Sequence, residues 1–130
     1  MSARIAIEVP AGELIDRLTI LEIKAARITD PARRANVEAE RTALEEVRRR
    51  ALPPHPDLAR LTAALREVNE ALWDIEDRIR ACEAAGDFGP DFVALARAVY
   101  RTNDRRAELK REISLALGSR LIEEKSYRPY

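Results

Sequence analysis

Apolar positions along the chain fall into four stretches with helical spacing, preceded by one short stretch that alternates. Leu58, Leu61, Leu65, Val68, Leu72, Ile75, Ile79 and Cys82 recur at gaps of 3, 4, 3, 4, 3, 4 and 3. That is an unbroken heptad seam, and it predicts a helix over about 57–84. Residues 91–117 repeat the spacing through Phe92, Leu95, Val99, Thr102, Arg106, Leu109, Ile113 and Ala116, with two polar positions in the middle. Gly86 is suited to cap the first of these helices, and Pro90 follows closely. So short a connection predicts an antiparallel hairpin. Over about 13–28, Leu14, Ile15, Leu18, Ile20, Leu21, Ile23 and Ile28 surround most of a helix and mark it as the most buried element. Residues 31–51 carry only a thin apolar face of Ala35, Val37, Leu44, Val47 and Ala51. Asp30 is placed to cap that helix and Pro31 to begin it. The alternating Ile5, Ile7 and Val9 predict a strand over 4–9, ended by Pro10 and Gly12. The other extended segment is the tail, 119–130. The fold class that follows is all-α within a single domain of residues 1–130. It is an antiparallel four-helix bundle with a long coiled-coil-like C-terminal hairpin and a short N-terminal strand pairing with the tail.

The polar break in the last helix carries the chemistry. Folding the hairpin about residue 87 sets Thr102 level with Leu72, and Arg106 level with Val68. A guanidinium buried there without a partner is strongly unfavourable, so something nearby must satisfy it. The stripes beside the two seams, with Asp77 next to them, supply a mid-bundle cluster of Asn69, Trp73, Glu76, Asp77, Tyr100, Asn103, Arg106 and Lys110. Asp16 or Glu22 of the first helix would join it. Two readings stand side by side. One is a hydrogen-bond network that fixes helix register. The other is a cleft whose donors hold a small anionic molecule.

Composition narrows the classes. Lys+Arg and Asp+Glu each number 23, so the formal net charge is zero. Arg101, Arg105, Arg106 and Arg111 alternate with Asp104, Glu108 and Glu112, which argues against nucleic acid. The chain has one cysteine and one histidine, so neither an internal disulfide nor a Cys/His zinc site is expected. His55 sits in a Pro-rich connector, and Cys82 continues the apolar seam. No glycine-rich phosphate loop and no GxSxG sequence occurs. Glu70, Asp74 and Asp77 fall on one helix face, as in magnesium-binding ladders. Arg66, Arg78, Arg80 and Arg101 are interleaved with them, which accounts for the pattern as surface ion pairs. No metal and no cofactor is expected. No apolar run is long enough to span a bilayer, and Met1-Ser2-Ala3-Arg4 lacks a signal-peptide core, so a cytoplasmic protein without membrane insertion is expected. Tyr127 and Tyr130 in a tail without helical period predict that it docks, on the body or on a partner.

The segments 7–24, 69–77 (Asn69-Glu70-Ala71-Leu72-Trp73-Asp74-Ile75-Glu76-Asp77), 100–106 and 123–127 together resemble a bacterial family of short all-helical proteins classed as a domain of unknown function. The resemblance spans nearly the whole chain and brings no catalytic residues with it. It implies an accessory role beside sugar transferases and tetratricopeptide proteins of surface-polysaccharide pathways. A second likeness, carried by Leu14-Ile15-Asp16-Arg17-Leu18 and the Arg27 region, is to the helical chorismate mutases, which hold a dicarboxylate with buried cations. Here only Arg4 precedes Asp16 where that family needs an arginine pattern. The function expected is therefore a non-enzymatic helical accessory or interaction protein, with a homodimer or a protein partner. The alternative is a protein binding an anionic metabolite or sugar phosphate, or a chorismate-mutase-like enzyme, using the mid-bundle cleft.

Overall fold

The computed structural model describes residues 3–130. Four helices form: α1 (Ala11–Arg27), α2 (Pro31–Ala51), α3 (Leu58–Ala85) and α4 (Pro90–Ala116). The bounds lie within two residues of the spans read from the apolar spacing. Local chemistry accounts directly for two of the eight ends. Asp30 accepts the backbone N–H of Arg33, and Pro31 opens α2 with no N–H to leave unpaired. Gly86 ends α3 in the left-handed region at φ 66°, which a side chain would resist.

Helix α1 is the hub. It is apolar on most sides, and it packs against each of the other three helices, while α3 and α4 pack against each other. Ala11 and Ile15 join Leu61 and Leu65 from the start of α3, and Leu109 and Ile113 from the end of α4. At the other end of α1, Leu21 and Ala25 pack on Val37 of α2, with Ile28 and Leu44 at the edge. These pairings run α1 parallel to α3 and antiparallel to α2 and α4, in an up-down-up-down order. Helix α2 packs on α1 alone, in keeping with its thin apolar face.

The N-terminus of α1 sits unusually close to α4. Pro10 offers it no side-chain cap. Instead, the N–H groups of Ala11 and Gly12 each donate at 2.9 Å, to the hydroxyls of Ser119 and Ser114. Donors that a helix start leaves orphaned are thus capped from the end of another helix. Only glycine fits at position 12, because an added Cβ would lie 2.0 Å from the Lys110 carbonyl oxygen. The expectation that Gly12 terminates a strand is corrected: it belongs to the first turn of α1.

The hairpin outruns α1. At about 1.5 Å per residue, the 28-residue α3 is roughly 42 Å long and the 17-residue α1 roughly 25 Å. Helix α1 ends with Arg27 beside Trp73 and Asp74. Beyond that point Ile75, Ile79 and Cys82 are only half-buried. Phe88 and Phe92 meet edge to face at the tip, 5.2 Å between centroids.

The predicted strand is not present among the described residues. Ile5 and Ile7 are 89% and 73% exposed, so the alternation buries neither. A two-stranded ribbon with no core beneath it has little to hold it in water. The termini do meet, through side chains: Arg120 donates to both carboxylate oxygens of Glu8, at 2.9 and 2.7 Å.

Candidate functional site

The most buried chemistry in the molecule surrounds Asp16, whose residue is 1% exposed. Ile23, two turns on along the same face, is buried as well, and the helix carries Asp16 inward with it. Thr19, three residues on, shares its face and donates to the Asp16 carbonyl at 2.8 Å. Arg106 comes in from α4 and grips the carboxylate in a two-pronged bond, Nε to Oδ1 at 2.9 Å and Nη2 to Oδ2 at 2.5 Å. From α3, Asn69 spends both amide protons here, on Asp16 Oδ1 and on Thr19 Oγ1, each at 2.9 Å. Three helices are thereby joined at one carboxylate. The guanidinium demanded by the break in the α4 seam is satisfied by a carboxylate. The neutral amide shares that carboxylate and does not bind the guanidinium itself.

A second ion cluster lies one turn away. Lys110, with 15% of its side chain exposed, reaches Glu13 at 2.8 Å, Glu123 of the tail at 3.3 Å and Asp16 at 3.9 Å. Glu13 also accepts from Arg17 at 3.0 Å. Burial would raise the Glu13 carboxyl, but hydrogen bonds from Lys110 and Arg17 outweigh it and hold the group below the usual carboxylate range. Burial would likewise lower Lys110, but the Glu13 bond and the charges of Asp16, Glu13 and Glu123 keep the ammonium above its ordinary value. The hydrogen bond to Asp16, against the opposing effect of burial, holds Arg106 above the usual guanidinium range. Glu13 and Lys110 are therefore driven away from neutrality. The lowered carboxyl is a weaker proton acceptor and the raised ammonium a weaker proton donor than their free counterparts.

Beside these clusters, the outer flank of α4 and the tail enclose a groove of about 960 Å³. Tyr100, Asn103, Asp104 and Lys110 line it from α4, and Glu123, Tyr127 and Tyr130 from the tail. A smaller hollow of about 460 Å³ lies between α3 and α4, lined by Ala64, Val68, Ala71, Arg101, Thr102 and Arg105.

The residues expected to form one cluster separate into four groups. Asn69, Arg106 and Lys110 converge on α1. Tyr100 and Asn103 line the groove. Trp73 stands apart, half-buried under the Arg27 guanidinium at 5.8 Å from its ring centroid. Glu76 and Asp77 are corrected to exposed positions, with Glu76 paired to Arg80 at 3.3 Å. They lie past the end of α1, so nothing draws them inward. Glu22 faces outward and meets Arg66 at 3.1 Å. Glu13, Thr19 and Ser114 escaped the sequence reading, although the spacing of Thr19 from Asp16 was a visible signal. His55 accepts the Asp57 N–H at 3.1 Å and has no part in either cluster. Among the described residues no group of His, Cys, Asp and Glu is arranged to hold a metal, and no helix is long and apolar enough to cross a membrane.

The chain matches no protein-family model, no curated protein and no solved structure. The reading of the site rests on its own geometry.

Proposed function

We propose that the protein is a non-enzymatic helical interaction module, and that its mid-bundle polar network serves to fix the register of α1 against α3 and α4. One observation carries this reading: the half-buried cations of the network are already matched. Arg106 gives two donors to Asp16, and Lys110 lies between Glu13 and Glu123. An incoming anion would have to displace an internal carboxylate, whose own burial would then be uncompensated. Such fully connected polar networks specify one packing among several apolar alternatives. The reading agrees with the accessory role that the family resemblance implies. It is tested by a thermal-shift screen with dicarboxylates, phosphosugars and sugar nucleotides, read together with the emission of Trp73, the only tryptophan. The expected result is no ligand-dependent change. A saturable rise in Tm that disappears in Arg106→Met would instead establish an anion site.

A further inference from the structure

The tail lies against the outer flank of α4 in a particular way. It leaves the body through Gly118, in the left-handed region at φ 68°. Among the described residues no backbone group from 120 onward bonds to the body; the last such bond is from the Ser119 N–H to the Ser114 carbonyl, at 2.9 Å. Side chains alone hold the strap. Glu123 meets Lys110 and Glu124 meets Arg111. The Tyr130 ring packs on Tyr100 with 5.2 Å between centroids, and its hydroxyl donates to Asp104 at 2.7 Å. The tail bridges the groove without filling it, since about 960 Å³ remains between them. Ion pairs whose tail carboxylates stay more than half exposed give little stability against the entropy of ordering a strap. Such a segment opens readily.

We infer that the α4 flank is a recognition groove for an extended acidic and aromatic segment, and that its second occupant is the same tail from another copy of this chain. This rests on the interaction-module reading and names the partner. The contacts available between copies are the ones made within one copy, with Lys110 and Arg111 receiving adjacent carboxylates and Tyr100 with Asp104 receiving a tyrosine. Exchange of residues 121–130 leaves the Ser119 bonds and the Arg120–Glu8 pair within each copy and sacrifices no contact of the strap. It closes a two-fold dimer, because each copy both gives and receives a tail. The second contact forms within the dimer and gains from high effective concentration.

A reciprocal charge swap in the chain tests this. In Arg111→Glu the groove repels its own Glu124, and in Glu124→Arg the tail repels its own Arg111. Each variant alone should remain a monomer by light scattering, since its homodimer repeats the clash twice. Mixed, the two restore an opposite-charge pair at both grooves, and the measured mass should double as a one-to-one dimer. Adding Tyr130→Ala to both variants should abolish that dimer, and circular dichroism confirms that every variant is folded. A mixture that stays monomeric, a variant that dimerises alone, or a dimer indifferent to Tyr130→Ala overturns the inference. None of these outcomes touches the ligand screen above, so the two readings fail separately.

Discussion

Asp16→Asn keeps the shape of the side chain and deletes its charge. The remaining oxygen still accepts one bond, but an amide N–H₂ now confronts an Arg106 donor where Oδ2 accepted at 2.5 Å. Removing one partner of a buried ion pair costs about 3–5 kcal/mol. The Arg106 side chain is 29% exposed and recovers some solvation, which places the loss near the lower bound, about 3 kcal/mol. That is a large fraction of the roughly 5–15 kcal/mol that holds a domain folded. For a chain of this size it corresponds to a fall in Tm of roughly 10 °C. Urea titration followed by circular dichroism measures it directly: the midpoint should drop while the slope stays constant. A cycle with Arg106→Met isolates the pair, and the coupling energy should exceed about 1 kcal/mol for groups in direct contact. An Asp16→Asn midpoint equivalent to less than about 0.5 kcal/mol, the range of an ordinary surface change, would refute the claim that this carboxylate joins three helices.

Gly12→Ala places a methyl group 2.0 Å from the Lys110 carbonyl oxygen, an atom of backbone that cannot swing aside. The start of α1 must lift off α4, and thermal unfolding should register a loss of about 2–3 kcal/mol, typical of overpacking. The Glu13–Lys110 pair sets opposite limbs of the pH profile. Glu13 titrates below its ordinary 4.5 when folded, so its contribution is complete above that value and is lost as pH falls through the lowered one. Lys110 titrates above its ordinary 10.5, so its contribution is complete below that value and is lost as pH rises through the raised one. Urea midpoints across pH should show a flatter acid limb in Glu13→Gln and a flatter alkaline limb in Lys110→Met.

The hydrophobic spacing was a sufficient guide to the four helices because each buries a face with the period of its own backbone. Residues 4–9 mislead by the same logic. Alternation states which face a strand would bury, but the chain supplies no layer to receive Ile5 and Ile7. Local pattern and tertiary opportunity are separate conditions, and a strand needs both.

The candidate site divides along a similar line. Arg106 was legible as an offence against its own seam, and an inward guanidinium calls for a carboxylate. Which carboxylate depends on the helix face: Asp16 shares its face with Thr19 and Ile23, both buried, whereas Glu22, though flanked by the buried Leu21 and Ile23, points toward Arg66 at the surface. Glu76 and Asp77 were drawn into the cluster because the stripe beside the α3 seam continues past Trp73 without interruption. A periodic pattern records which face of a helix is available. It does not record where the covering helix stops, and α1 stops at Arg27. The polar residues that matter are therefore those level with α1, and the same stripe one turn farther on is ordinary surface. The tail follows the complementary rule. It has no period to read, and Tyr130 stays 78% exposed where its ring meets Tyr100 and its hydroxyl meets Asp104, so its place is set by two contacts one helical turn apart and not by burial.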